Sequence, residues 1–269
     1  MQVSAGVAFI RDFVIIDTML NTQEKIEQDL QEMFSKGMHL GYSVTSRHPK
    51  MKPYIFAERN GVEIFDLEKT KSALDAAKEF VRKLGKEKKI ILFVGTKKEA
   101  KEALVATAKE LSMPYVAERW VGGTITNFKQ IRSRMDHLND LKKKKETGAL
   151  DKYTKKERLQ IDRKIEKMDR YFCGLADSLK NFPAAIVTVD PKHEKIAMGE
   201  ALQMKIPVIS LLNSDCDPAG INFAVPANDN SATSIGYFLS ELAKSYKEGL
   251  ILAEEVATQA AAKKEPVKE

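Results

Sequence analysis

The chain has only two cysteines among its 269 residues, Cys173 and Cys216, and their surroundings are dissimilar. Neither cysteine has a histidine or a second cysteine at the spacing of a zinc site, and none of the four histidines belongs to an H-E-x-x-H motif. The sequence therefore predicts no metal site. It also predicts two free thiols, which are typical of a protein from a reducing compartment.

Long apolar runs are also missing. The most apolar N-terminal stretch, residues 7–20 (VAFIRDFVIIDTML), is interrupted by three charged side chains, and no run approaches the ~18 residues of a membrane span. No small-residue cleavage site follows it, so a secretion signal is not predicted either. Two interpretations of residues 1–20 stay open: a short packed appendage, or an upstream start codon with the usual start near Met19.

The sequence lacks the glycine-rich motifs that hold nucleotides, because neither G-x-G-x-x-G nor G-x-x-x-x-G-K-[ST] occurs in it. One strand–glycine–helix junction, Phe93–Ala100 (FVGTKKEA), stands where α/β folds often bind phosphate. Thr96 and Glu99, however, match a T-x-x-E capping box that would satisfy the first amides of the helix. This disfavours a nucleotide site and leaves Lys97 and Lys98 free to meet RNA phosphate or water.

No catalytic constellation is compelling. The three aspartates between positions 213 and 230 suit turns and helix caps better than acid–base chemistry or a cation site, and Cys216 lacks a nearby base. We therefore predict no catalytic residue and no cofactor.

Positive charge is what the sequence has in excess: 44 Lys and Arg stand against 38 Asp and Glu, for a net charge of +6. The segment Arg47–Phe56 (RHPKMKPYIF) combines four basic or potentially basic side chains with two prolines, which predict a stiff loop, and we call it the basic loop. From Lys142 to Arg170, twelve Lys or Arg face six acids, and the run Lys142–Lys145 has only Glu146 beside it. Either a polyanionic partner or a solvated face explains such runs.

Three apolar runs without polar alternation, Ile90–Val94, Ala184–Val189 and Pro207–Leu212, predict fully buried parallel strands. Helical periodicity covers Gln23–Ser35, Leu74–Leu84 up to Gly85, Lys97–Leu111, Pro191–Met204 and Ser231–Gly249. The dipeptide Asn60-Gly61 predicts a turn before a short strand at Val62–Leu67. This alternation predicts an α/β fold with a doubly wound, mainly parallel sheet of the Rossmann-like or flavodoxin-like kind.

Residues 128–179 follow a different pattern. Their apolar side chains recur every three or four residues, Gly148 marks a stop, and Thr154–Glu157 forms a capping box. We predict an inserted antiparallel coiled-coil helical hairpin over 128–179 within an α/β domain of 23–127 and 180–250. Residues 1–22 form an N-terminal extension, and the polar, Ala-rich residues 251–269 form a disordered tail.

The only tryptophan stands beside a Gly-Gly pair in Glu118–Phe128 (ERWVGGTITNF). In isolation this segment predicts a tight structural turn with Trp120 packed over Gly122 and Gly123. The alternative has Arg119 and exposed amides contacting phosphate.

Four segments together resemble small-subunit ribosomal protein two of bacteria and organelles. They are RHPKMKPYIFAERNGVEIFDLEKT, FVGTKKEA, ERWVGGTITNF and NFPAAIVTVDPKHEKIAMGEALQMKIPVISLLNSDCDP, in the family's order and over about Gln28 to Lys247. The resemblance implies a cytoplasmic structural constituent of the small ribosomal subunit that binds ribosomal RNA and neighbouring ribosomal proteins. It also implies that, in many bacteria, the protein helps to dock ribosomal protein one, and it implies neither a small-molecule substrate nor a membrane partner.

The chain departs from the family's His-x-Gly-His motif, since it has His39-Leu40-Gly41-Tyr42, and Val44-Thr45-Ser46 stands where a basic residue is common. In the basic loop, Tyr54 and Phe56 either anchor the loop or stack on a base. The residues expected to contact RNA are Arg47, His48, Lys50, Lys52, Tyr54, Arg59, Lys97, Lys98, Arg119, Asn127, Arg132, Lys142, Lys143, Lys144 and Lys145. Two rival classes stay open: a sugar-phosphate isomerase or nucleotide-binding enzyme, and a coiled-coil adaptor that binds proteins only.

Overall fold

The computed structural model describes residues 27–150, 152–176, 179 and 181–262. The predicted extension 1–22 lies outside the described residues. In chain order the elements are α1 (27–35), β1 (Leu40–Ser43), β2 (Ile55–Arg59), β3 (Val62–Phe65), α2 (Leu67–Lys86), β4 (Ile91–Val94), α3 (Lys98–Glu110), β5 (Tyr115–Val116), α4 (Phe128–Glu146), α5 (Lys155–Ala176), β6 (Ala185–Val189), α6 (Lys195–Gln203), β7 (Val208–Leu212), β8 (Phe223–Pro226) and α7 (Ala232–Ala262).

Five strands form a parallel sheet in the order β5-β4-β6-β7-β8. Counted along the chain this order is 2-1-3-4-5, the flavodoxin-like arrangement, in which the winding direction reverses between β4 and β6. Every residue of β4, β6 and β7 is buried, as expected for strands covered on both faces. The predicted doubly wound α/β fold is confirmed. The short strands β5 and β8 were not predicted from the apolar pattern.

Alternate residues of the central strands enter two separate cores. Ile91 and Phe93 of β4 pack with side chains of α2, α3 and α7, whereas Leu92 and Val94 pack with side chains of α4, α5 and α6. Since side chains alternate across a strand, one four-residue strand supplies both layers.

A second, antiparallel sheet has the order β1-β3-β2. The predicted turn is confirmed, because Asn60 and Gly61 join β2 to β3 with φ angles of 54° and 75°. Strands β1 and β2 are additions that the sequence patterns did not indicate. The predicted basic loop is a short 3-10 helix, Pro49–Tyr54, whose Met51 is buried against Phe65, Leu212 and Cys216.

Helices α4 and α5 pack side by side within the predicted insertion. The ion pairs Lys142–Asp169 and Lys145–Asp162 bridge them. The later lysine of α4 pairs with the earlier aspartate of α5, so the two helices run antiparallel. Glu157 accepts hydrogen bonds from Thr154 N and Oγ1, both at 2.9 Å, and this confirms the predicted capping box. The coiled-coil character of this pair stays a prediction.

Helix α7 is longer than predicted, and it crosses α2 at Gly85. The helix continues to Ala262 and so enters residues 251–269, which the sequence assigned to a disordered tail; residues 263–269 lie outside the described part. Gly85 does not stop α2, which runs to Lys86. Instead, a Cβ at Gly85 would lie 2.3 Å from the carbonyl oxygen of Tyr246, so the glycine lets α7 cross α2 closely.

Candidate nucleic-acid interface

The carboxyl ends of β4 and β6 form the switch-point crevice where open α/β sheets bind their ligands. Here Glu194 fills that crevice, because its Oε1 accepts hydrogen bonds from Thr96 N at 2.8 Å and Thr96 Oγ1 at 2.6 Å. The predicted capping box between Thr96 and Glu99 is therefore wrong. The T-x-x-E spacing is present, but both donors of Thr96, its amide and its hydroxyl, bind the carboxylate of Glu194 instead. A phosphate would have to displace Glu194.

Lys97 lies inside this crevice and is not free to meet RNA. Its Nζ lies 2.9 Å from a carboxylate oxygen of Asp229 and 3.2 Å from one of Asp190, and its side chain is only 16% exposed. Burial alone would lower the pKa of Lys97, but Asp229 and Asp190 outweigh burial and raise this pKa above its ordinary value. The predicted availability of Lys97 is corrected: its charge is neutralised within the fold.

Tyr42 belongs to the same network. Its hydroxyl donates to Asn230 Oδ1 at 2.8 Å and accepts from Lys97 Nζ at 3.3 Å. Tyr42 thereby ties β1 to the end of the parallel sheet.

Residues Trp120–Gly123, which we call the Trp-Gly-Gly turn, form the structural turn that the sequence predicted. The turn surrounds the side chain of Glu200, which the sequence did not indicate. The carboxylate of Glu200 on α6 is buried and accepts hydrogen bonds from Trp120 Nε1 at 3.0 Å and from Gly123 N at 2.7 Å. It also accepts from the amides of Ile125 and Thr126. Gly123 has a φ of 89°, which favours glycine. These amides serve Glu200 and not phosphate.

Burial alone would raise the pKa of Glu200. The hydrogen bonds from Trp120 and from the amides of Ile125, Gly123 and Thr126 outweigh it and hold this pKa below its ordinary value. The carboxylate is therefore ionised at neutral pH and holds the turn in place.

The basic loop finds much of its counter-charge inside the chain. Arg47 pairs with Glu63 at 2.9 Å, Lys50 pairs with Asp217 at 3.1 Å, and His48 lies 4.0 Å from the same aspartate. Lys52 is exposed and makes no ion pair with the described residues.

The two aromatic residues of the loop have different environments. Tyr54 is partly buried and packs on the cluster around Met51, so it anchors the loop. Phe56 is 76% exposed, which is unlike an anchor.

The lysine run of the hairpin, Lys142–Lys145, contains both paired and unpaired side chains. Lys142 and Lys145 pair with Asp169 and Asp162 on the facing helix, while Lys143 and Lys144 are exposed and unpaired among the described residues. Neighbours in sequence do not reveal the partners of Lys142 and Lys145, because these aspartates lie on the other arm. Arg132 is likewise engaged, with Asp136 at 3.2 Å and with the carbonyl oxygen of Leu179.

The other predicted contact residues are exposed. Arg59, Lys98 and Arg119 make no ion pair within the described part of the chain. Asn127 directly precedes α4, and its side chain does not cap the helix.

A basic cleft that the sequence did not indicate lies where α4 and α5 meet the Trp-Gly-Gly turn. The basic cleft has a volume of about 680 Å³. Its lining residues are Arg119, Trp120, Val121, Gly122, Arg134, His137, Lys164, Lys167, Met168, Tyr171 and Phe172. Only the antiparallel register of the hairpin brings the two arms together, so spacing along one arm could not reveal the cleft.

A metal-binding cluster is not assembled in the described residues. No cluster of three His, Cys, Asp or Glu side chains there could hold a metal ion. Cys216 is a buried free thiol, and burial together with Asp190 and Asp215 raises its pKa, so it is a poor nucleophile. None of the described helices is both long and apolar enough to cross a bilayer.

Comparison with known proteins agrees with this arrangement. Residues 33–249 match the family described as Ribosomal protein S2. Small ribosomal subunit protein uS2 of Coprothermobacter proteolyticus is 40% identical over 220 residues, which cover 82% of each chain. The proteins of the same name from Dictyoglomus turgidum and Dictyoglomus thermophilum are each 40% identical over 228 residues, 85% of this chain and 92% of theirs. The chain therefore belongs to the ribosomal protein S2 family, whose members are structural constituents of the small ribosomal subunit and not enzymes.

Proposed function

We propose that this structural protein of the small ribosomal subunit contacts ribosomal RNA mainly through the cations that its own carboxylates leave unpaired. These are Lys52, Arg59, Lys98, Arg119, Lys143 and Lys144, all exposed. One observation carries the proposal: the remaining predicted cations have acidic partners within a few ångströms, and these six have none in the described residues. An unpaired surface cation gains most from a phosphate because it gives up no internal partner.

The paired residues form a second group. Arg47, His48, Lys50, Arg132, Lys142 and Lys145 are partly exposed beside their carboxylates. In this proposal they reach RNA only by sharing or exchanging those partners, so each contributes less affinity. Asn127 adds a free amide, Tyr54 holds the basic loop, and Lys97 makes no contact.

Contacts of this kind position a protein on a folded RNA surface without reading its sequence. The α/β domain (23–127 and 180–250) and the hairpin (128–179) each carry part of them. The protein thus acts on the ribosome, in the cytoplasm. If ~6 phosphates are neutralised, affinity falls by roughly 10³ between 50 and 200 mM salt.

Incorporation into small subunits tests this division. We expect a variant with Lys52, Arg59 and Lys98 changed to glutamine to be depleted from the small-subunit peak of a sucrose gradient at unchanged melting temperature. A variant with three exposed cations of α2 changed in the same way, Arg82, Lys83 and Lys86, is the control for net charge. Equal occupancy of the two variants would contradict the proposal.

Docking of ribosomal protein one is a further part of the proposal, and an apolar groove supports it. The groove has a volume of about 590 Å³ and lies between α1 and the antiparallel sheet. Phe34 and Phe56 both line it and are 60% and 76% exposed, so two exposed aromatic rings share one apolar surface, which is typical of an interaction site. Replacing both by serine should abolish capture of purified ribosomal protein one, while Phe182→Ser, at another exposed phenylalanine, should leave capture unchanged.

A further inference from the structure

We infer that the basic cleft binds one or two unpaired nucleotides of RNA, with phosphate against its cations and a base against Tyr171. The inference rests on the proposed function and adds a site to it. Of the cationic residues of the cleft, only Arg119 stood among the residues expected to contact RNA. Arg134, Lys164 and Lys167 complete the set.

The charges of the cleft call for an anionic occupant. Four lysines or arginines line it, and no aspartate or glutamate does. Arg119, Arg134 and Lys167 make no ion pair with any described residue. Lys164 Nζ lies 3.0 Å from His137 Nε2, so its hydrogen-bond partner is not a carboxylate. Elsewhere on the hairpin, Lys142 and Lys145 have carboxylate partners. Positive charge that lacks counter-charge in a concave site attracts a polyanion most strongly.

The shape and the walls of the cleft favour a nucleotide over phosphate alone. Its volume of about 680 Å³ is within the ~300–1,000 Å³ of pockets that enclose small ligands. Trp120 and Phe172 form an apolar floor continuous with the core, and Tyr171 is half-buried beside them. A Cβ built at Gly122 would meet nothing within 4 Å, so the backbone there is open to a close approach.

Single-stranded RNA fits both features at once. Unpaired bases stack on aromatic side chains while cations follow the backbone. In duplex RNA the bases are stacked inside the helix, so a duplex would offer the cleft phosphates but no base for Tyr171. An acidic protein segment would meet the charge but would not need an aromatic face.

The first experiment measures binding of a fluorescent eight-nucleotide oligouridylate to the full-length chain. We expect Arg134→Gln/Lys167→Gln to weaken binding at least 10-fold and to reduce the slope of log affinity against log salt by about 1.4, which is two phosphates at ~0.7 each. Lys129→Gln/Arg163→Gln removes the same charge from exposed positions of the same two helices outside the cleft. This control should lose less than about 3-fold, since it retains the phosphate contacts. Equal losses in the two variants would overturn the inference.

The second experiment tests stacking. Tyr171→Leu keeps an apolar side chain but removes the ring, and we expect about 5- to 100-fold weaker oligouridylate binding. Tyr171→Phe keeps the ring and should bind within about 2-fold of the wild type, because stacking does not need the hydroxyl. Thermal unfolding of both variants separates a binding loss from a folding loss. If leucine binds as well as phenylalanine, no base stacks on this residue.

The third measurement, on full-length small-subunit ribosomal RNA, distinguishes failure of the inference from failure of the proposed function. If the proposed function is wrong, the wild-type chain itself shows no salt-dependent binding to this RNA. If only the inference is wrong, the wild type binds it and the cleft variant binds as tightly as its control. Oligouridylate binding that a matched RNA duplex competes away equally well would also overturn the inference.

Discussion

Arg47 Nη1 lies 2.9 Å from Oε1 of Glu63, whose side chain is fully buried, and the guanidinium is only 32% exposed. The second carboxylate oxygen of Glu63 has no hydrogen-bond partner among the described residues. Arg47 is therefore the counter-charge that makes a buried glutamate tolerable in β3. One of the cations in the basic loop thus serves the fold.

We predict that Arg47→Ala destabilises the protein by about 2–3 kcal/mol, because it leaves a buried charge unpaired at a site that water partly reaches. Urea unfolding measures this directly. Lys52→Ala, at the exposed and unpaired cation of the same loop, should change stability by less than about 0.5 kcal/mol. The double variant Arg47→Ala/Glu63→Gln should recover part of the loss. Equal stability of the two single variants would show that the Arg47–Glu63 pair contributes nothing.

The switch-point network makes a prediction of its own. Lys97→Met leaves Asp190 and Asp229 side by side without their shared cation, and we expect a loss of about 3 kcal/mol at neutral pH. Lys98→Met is the matched control, since the neighbouring lysine is exposed and unpaired among the described residues. It should cost less than about 0.5 kcal/mol.

The same variant should show a characteristic pH dependence. In the wild type, burial and Asp190 hold the pKa of Asp229 above its ordinary value, although Asn213 and Lys97 oppose them. Removing Lys97 raises this pKa further, so the folded state takes up a proton more readily than the unfolded state. The free energy of unfolding of the variant then gains from a fall in pH. Its loss of stability relative to the wild type should therefore be smaller at pH 5 than at pH 8. A deficit independent of pH would show that the loss is one of packing.

Sequence alone predicts the parallel sheet because continuous runs such as Ala185–Val189 have only one stable environment, between two layers of helices. It misses β1 and β5, which are two to four residues long and depend on their neighbours for pairing. The candidate site is harder to predict for the same reason. The carboxylates that neutralise Lys97 are about a hundred residues away, so only the fold reveals which cations remain unpaired.

Glu200 predicts a sensitivity to acid. Hydrogen bonds from the Trp-Gly-Gly turn hold the pKa of this buried carboxylate below its ordinary value. Its stabilising contribution is present above the unfolded pKa of about 4.3 and is lost as pH falls through the lower folded value. Glu200→Gln should therefore be destabilised at pH 7, and the difference from the wild type should narrow toward pH 3. Thermal unfolding at several pH values checks this; a constant difference would contradict it.

The two classes of lysine at the hairpin tip should be separable by RNA binding. Lys143→Gln/Lys144→Gln removes two exposed, unpaired charges and should reduce the salt slope of binding to small-subunit ribosomal RNA by about 1.4–1.8. Lys142→Gln/Lys145→Gln removes the same charge but also frees Asp169 and Asp162. We expect a smaller change in slope from the second pair and a slight loss of stability. Identical slopes for both variants would mean that the carboxylates do not screen the lysines.

The crossing of α2 and α7 gives a prediction about packing alone. A Cβ at Gly249 would lie 2.2 Å from the carbonyl oxygen of Arg82 and 3.0 Å from Cα of Gly85, and backbone atoms cannot move aside as a flexible side chain does. Gly249→Ala must separate the two helices, which we expect to cost about 2–3 kcal/mol.

Gly236 is the control within the same helix. A Cβ there would meet nothing within 4 Å, so Gly236→Ala only restricts the unfolded chain and should stabilise the protein by about 0.4–1 kcal/mol. The two substitutions are chemically identical, and opposite signs in urea unfolding would establish that α7 is held by close backbone contact with α2. If both variants were stabilised, α7 would have room to shift along α2, and close contact between the two backbones would not be what holds α7 in place.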